Sequence, residues 1–351
     1  MQGIFQTSCT GLCFALLVGS APPLSSRAAE PIAATSPAIA EATSRIARAA
    51  DKFLSTLDEV GRKGAVYAFN DEEQRKRWSN LPTSFVKRGG LRMGDLTPAQ
   101  REAAMALLAT ALSPKGYEKV VQIVEADEVL NQGSQRKMFG RDEYYISFLG
   151  TPSATAPWMI QFGGHHLALN ITLAGQNATL APSHTAAQPA IYELEGKTIR
   201  PLGGETDKAH ELMASLDESQ RKQAVLGFEM RDLVLGPGRD GQIIQPEGLK
   251  GSELTVKQGE LLLELAAEWT GIMHDAVAKA KLEEMKKHLA ETWFAWSGPT
   301  EKGSSAYFRI QGPTVLIEYA PQRLGGDTKK HIHTIYRDPT NEYGVKWTKE
   351  P

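Results

Sequence analysis

Four of the eight histidines stand in two tight pairs, His331-Ile332-His333 and His165-His166. Imidazole is the commonest metal-ligating side chain and carries its lone pair near neutral pH. On a strand, residues two apart project from one face, so His331 and His333 offer two nitrogens to one divalent ion. Neighbours on a strand point to opposite faces, so only one of His165 and His166 is expected to enter that site, the other supporting it from outside. Arg337 shares the strand face of His331 and His333, Asp338 follows it, and Glu318 sits mid-strand in Val315-Leu316-Ile317-Glu318-Tyr319. A carboxylate among apolar residues needs a partner. Glu318 therefore reads as a metal ligand, a general base, or half of an ion pair with Arg309 or Arg337. Near the other pair, Gln161 and Asn170 can bond to neighbouring strands, and Gly163-Gly164 lets a ligand or another segment approach the backbone. Trp293 and Trp296 are candidates to line one cleft for an apolar ring or a sugar, with core packing as the alternative. His184 falls in a predicted loop, while His274 and His288 fall on the polar face of a helix and are expected to be solvated.

The chemistry open to these residues is bounded by what the chain lacks. Its two cysteines, Cys9 and Cys13, lie in a leader-like segment whose apolar core is Gly11 to Ser20, so a mature chain would build any metal site from His, Asp and Glu. Three readings follow. In the first, His331, His333 and one of His165 or His166 hold zinc, with Glu318 as ligand or base and Arg337 orienting an anionic or carbonyl group, for hydrolysis. Copper in the same place would give redox chemistry instead. In the second, the same histidines with Arg337 and the tryptophans bind a small molecule or saccharide without catalysis. In the third, the histidines satisfy polar groups in the core.

Composition excludes several classes. With 41% hydrophobic and 23% charged residues and a net charge of −2, the chain has the make-up of a globular protein and lacks the basic footprint of a nucleic-acid binder. The leader-like stretch is too short to span a bilayer as a mature helix. Followed by Pro22, Pro23, Ser25 and Ser26, it reads as a signal peptide over residues 1–28, cleaved before Ala29. The expected product is exported, periplasmic or extracellular, with no stable membrane insertion.

The elements that must position the histidines can be read from periodicity. Residues 29–45, rich in Ala, Pro, Ser and Thr, are expected to form a flexible linker, and residues 46–351 a single globular domain. Ile46, Ala50, Phe53, Leu54 and Leu57 make the first apolar helical stripe. Thr97 with Gln100, Asp217 with Gln220, and Thr255 with Gln258 each have the spacing of a capping box and mark three helix starts. Strands are expected at 144–149, 158–162 and 165–173, then as a four-strand antiparallel meander at 292–296, 306–311, 314–319 and 331–337. Helices and strands come in blocks, so the class is α+β, with antiparallel sheets backed by amphipathic helices.

Five segments carry a family likeness: Trp78 to Pro82, Gly163-Gly164-His165-His166 through Asn170, Trp293 to Gly298, Tyr307 to Pro313, and His331 through Asp338 followed by Asn341 to Gly344. On these the chain resembles the domain of unknown function 3500 family over about residues 46 to 347. Glu342 stands where that pattern leads one to expect Asp. The resemblance implies that most of the chain is one unit and that both histidine pairs are diagnostic of it.

Overall fold

The structure, a computed structural model, describes residues 36–135, 138–324 and 326–348. The expected leader, its cleavage site and both cysteines lie outside the described residues. In chain order the helices are α1 (Pro37–Ser55), α2 (Glu59–Ala65), α3 (Glu72–Arg75), α4 (Pro98–Ala111), α5 (Pro114–Gln132), α6 (Gly203–Ser215), α7 (Glu218–Ala224), α8 (Val256–Thr270), α9 (Asp275–Lys287) and α10 (Val345–Thr348). The strands of the first half are β1 (Val66–Tyr67), β2 (Leu91–Arg92), β3 (Tyr145–Leu149), β4 (Trp158–Gly163), β5 (Leu167–Ala174), β6 (Asn177–Thr179) and β7 (Ser183–Ala187). A small hairpin, β8 (Tyr192–Leu194) and β9 (Lys197–Ile199), follows, then β10 (Leu249–Lys250), β11 (Trp293–Ser297), β12 (Tyr307–Gly312), β13 (Val315–Pro321) and β14 (Ile332–Arg337). The class is α+β, and the expected carboxy-terminal meander is β11 to β14.

Local chemistry explains the helix starts. All three capping boxes form, with both reciprocal bonds, at Thr97, Asp217 and Thr255. The side-chain amides of Gln220 and Gln258 also bond to each other, at 3.0 and 2.9 Å, which ties α7 to α8. One boundary differs from expectation. Residues 37–45 are not linker but the first half of α1, because Pro37 suits the first turn and Ile39, Ala42 and Thr43 extend the buried stripe of Ile46, Ala50 and Phe53.

Among the described residues, the main sheet runs β1-β3-β4-β5-β7-β14-β13-β12-β11-β10, with β2 also on β3 and β6 on β5. Apart from β1 on β3, the pairs are antiparallel. One face is apolar. Ile160, Phe162, Leu169, Ile171, Phe294, Phe308 and Ile317 pack there against Phe53, Leu107, Val120, Leu212, Leu265 and Trp269 of the helices. The alternate residues make the other face unusually polar for a buried surface: Ser147, Gln161, Asn170, His184, His333, Glu318 and Arg309 are all buried.

Two irregular segments, residues 76–90 and 225–248, cover that polar face. Each follows a short helix spelled Asp-x-x-Gln-Arg-Lys, from Asp71 and from Asp217, and each leads through a two-residue strand into a capping box. Each also ends on a left-handed glycine, Gly90 at φ +95° and Gly248 at φ +98°, where a Cβ would stand 2.3 Å from the carbonyl oxygen of Ile146 or Phe294. Only glycine fits such a close approach. The sheet is thus two similar halves meeting at β7 and β14, where Thr185 faces Thr334 with hydroxyls 2.7 Å apart.

Candidate metal centre

Strands β5 and β14 both pair antiparallel with β7, so they are parallel to each other and begin at the same end of the sheet. Residues 165–166 precede β5 and residue 331 precedes β14, which brings the two histidine pairs together across β7. Between them β7 presents only a methyl group: Ala186 donates its N–H to the His166 carbonyl at 2.8 Å and is the cross-strand partner of His333. Ring nitrogens of His166, His331 and His333 consequently lie within 4.8 Å of one another, all three residues being buried. Three imidazole nitrogens so gathered can hold a metal ion.

The hydrogen bonds of each ring fix which nitrogen is free. His166 Nδ1 stands 2.6 Å from Asp127 Oδ1 and donates to it, leaving the buried Nε2 with a lone pair and no partner. Asp127 Oδ2 accepts from the Tyr144 hydroxyl at 2.8 Å. His331 donates from Nδ1 to the Leu324 carbonyl at 2.7 Å, and its Nε2 lies 3.0 Å from His333 Nε2. His333 Nδ1 meets the Asn80 amide at 3.3 Å. With the amide nitrogen toward the ring, His333 carries its proton on Nε2 and donates it to His331. Turning the amide by half a rotation presents its oxygen, moves that proton to Nδ1, and frees both Nε2 atoms for an ion. A fourth ring, His184, donates from Nδ1 to the Thr334 carbonyl at 2.7 Å, has a buried Nε2 without a partner, and sits 5.4 Å from His333 between centroids. Orphaned buried ring nitrogens are rare in proteins, and among the described residues this cluster holds three, His166 Nε2, His184 Nε2 and His165 Nδ1.

Electrostatics keep the rings neutral. Burial, reinforced by His165, pushes the His166 pKa down to about 4 against the opposing pull of Asp127. Burial likewise pushes His184 down to about 3 and His333 well below the ordinary histidine value, and lowers His331. Burial alone would raise Asp127, but His166 and His165 outweigh it and hold the carboxyl well below the usual range. The result is one buried carboxylate behind neutral imidazoles, the arrangement in which a carboxylate orients a histidine ligand from its far side.

The expectation for His165 and His166 is corrected in its geometry. They lie in the turn before β5, not on the strand, and instead of pointing apart they stack with centroids 3.7 Å apart. His166 enters the three-histidine group. His165 lies between His166 and Phe139, its buried Nδ1 3.6 Å from Asp127 Oδ1, and forms a second possible ligand group with Asp127 and His166.

The other expected residues are placed elsewhere. Glu318 accepts from the backbone N–H groups of Val234 and Leu235 at 2.8 Å and from the Tyr307 hydroxyl at 2.6 Å, so its oxygens anchor the second covering segment. It also forms no ion pair with Arg309, which takes Glu247, or with Arg337. Arg337 binds Glu342 and, in that same segment, Asp240 and the carbonyls of Leu235 and Gly236. Asp338 binds Lys281 at 2.6 Å and caps Thr340. Gln161 and Asn170 bond to each other at 2.9 Å and to Gln74 and the Pro182 carbonyl. Trp293 and Trp296 are three apart on β11 and face opposite sides of the sheet, so they do not line one cleft. Gly163-Gly164 serves chain packing: Arg88 donates to the Gly164 carbonyl at 2.8 Å.

Asp127, Tyr144 and Asn80 are not among the candidate residues that type and spacing point to, and His184 lies in β7 rather than in the predicted loop. Asp127 had a signal. It falls at helical spacing from Val120 and Ile123 on the buried side of α5, where a carboxylate requires a specific partner.

A family model described as protein of unknown function (DUF3500) matches residues 40–345. No curated protein and no solved structure matches the chain.

Proposed function

Since the chain belongs to the DUF3500 family, whose description states no activity, we propose from its own geometry that it is a metal-dependent hydrolase, with zinc held by His166, His331 and His333. The observation that carries this is the convergence of three neutral imidazoles in which the His166 Nε2 lone pair has no other use. Three nitrogen ligands with a remaining open position are the pattern of catalytic rather than structural zinc. When bound there, zinc supplies a Lewis acid that activates water near neutral pH. Asp127 holds His166 in the Nδ1–H tautomer, the Leu324 carbonyl does the same for His331, and Asn80 sets His333. Export, expected from residues 1–28, is part of this reading and rests on that segment alone.

Elemental analysis of protein purified without a polyhistidine tag tests the proposal. One zinc per chain is expected, with loss of metal from a folded His331→Ala/His333→Ala variant and with ester or phosphoester hydrolysis that chelation removes and zinc restores. Stoichiometric copper in place of zinc would overturn the hydrolytic reading. Metal retained by the double variant, or none bound after reconstitution, would overturn the site.

A further inference from the structure

On the opposite side of β14 from the imidazoles, the apolar face of the sheet carries a cavity of about 180 Å³. Ile332 separates the two sites, since its side chain faces the cavity while those of its neighbours His331 and His333 face the other way. Three rings form one wall in a row across three strands. Trp296 lies over Phe308 with centroids 6.0 Å apart and planes 14° apart, and Phe308 over Tyr319 at 4.7 Å and 13°. An apolar cavity of roughly 150 Å³ accepts a benzene ring, so this one is the size of a single six-membered ring.

The polar atoms beside the aromatic row are acceptors, while Arg200, which pairs with Asp207, and Lys329 also line the cavity. Thr206 donates to the Leu202 carbonyl at 3.0 Å, so the Tyr319 hydroxyl, 2.7 Å away, must donate to Thr206 and retains its lone pairs. His210 donates from Nδ1 to the Thr206 carbonyl at 2.8 Å, which leaves Nε2 as an acceptor in the neutral ring. Nε2 faces Ser304 Oγ at 3.4 Å, but the Ser304 hydrogen already goes to the Pro299 carbonyl at 2.8 Å. These four side chains line the cavity, so this part of its wall offers acceptors in search of a donor. A pyranose, which carries hydroxyls all around its ring, would turn some of them against Ile191, Leu202, Ala306 and Ile332, where they find no partner.

We propose that this cavity between α6 and strands β11 to β14 is a binding site for a single aromatic ring bearing a hydroxyl group, a phenol, packed against the row of aromatic side chains and donating to His210 or Ser304. It stands independently of the metal reading, and either can fail alone. Titration calorimetry with phenol, toluene and methyl glucoside tests it on the full protein, with zinc content measured in parallel. Phenol should bind, toluene roughly tenfold more weakly for want of one net hydrogen bond, and methyl glucoside not at all. Ser305→Phe, which fills the cavity from a half-buried loop position, should abolish phenol binding while leaving the circular dichroism and zinc content unchanged. His210→Leu should erase the preference for phenol over toluene. Equal affinity for phenol and toluene in the wild type, binding of methyl glucoside, phenol binding that survives Ser305→Phe, or no phenol binding up to its solubility would each overturn the proposal.

Discussion

Strand β14 carries two clusters of buried polar side chains on one face, and they differ in how completely their hydrogen bonds are filled. At its far end Arg337 uses Nε, Nη1 and Nη2 on two carbonyls and two carboxylates, and nearby on β13 both oxygens of Glu318 are taken by backbone N–H groups. Where β14 begins, the imidazoles keep their neutral form, and His166 Nε2 and His184 Nε2 have no hydrogen-bond partner among the described residues. A cluster whose every valence is spent on its own chain is an anchor. A cluster with unspent lone pairs, held in place by bonds on the opposite nitrogens, is prepared for something that is not part of the chain.

The sharpest way to break this comparison is at the anchor. Arg337→Met strands two carboxylates and two carbonyls in a place with little water, and should destabilise the fold by about 3–5 kcal/mol in urea unfolding, with metal bound per folded chain unchanged. Loss of metal without loss of stability would reverse the assignment of the two clusters. Glu318→Gln keeps the shape but presents an amide N–H where Leu235 donates, and should cost about 1–3 kcal/mol, again without affecting metal.

At the histidine end the signs exchange. Asp127→Asn removes the carboxylate behind His166 and should weaken metal affinity about 10–100-fold, read by competition with a chelating dye. A variant that binds as the wild type does would remove Asp127 from the site. The smallest effect is in pH. In metal-stripped protein, unfolded histidines take up protons below about 6.5, whereas His166 and His184 stay neutral when folded until about 4 and about 3. The unfolded state then binds more protons, so stability should fall as the pH drops from 7.5 to 6.0, by about 1 kcal/mol per ring. Zinc should suppress the fall, and a flat profile in the stripped protein would mean that the rings are already solvated.

Much of the fold was legible because its causes are local. Thr97, Asp217 and Thr255 each reach a Gln three residues on, and such a box forms wherever the backbone turns helical. The alternation from Trp293 to Arg337 gave four strands nearly to the residue. The likeness of the two halves leaves a trace in Asp71 to Lys76 and Asp217 to Lys222, but the short shared run does not by itself mark a repeat, and only the common glycine geometry at Gly90 and Gly248 makes the two covering segments recognisable as equivalents. The start of α1 was obscured because its buried stripe is built from Ala and Thr, whose composition also suits a linker.

The sequence by itself pointed to imidazoles as the candidate ligating groups, and placed two of them on one strand face. It could not say that His166 rather than His165 completes the group, that Asp127 backs it, or that Glu318 and Arg337 belong to the anchor. Those choices depend on β5 and β14 starting side by side across β7, on a turn that stacks two neighbouring rings, and on which backbone groups a covering segment leaves in need of partners. Each is a contact between residues far apart in the chain, set by packing, and periodicity carries no record of it.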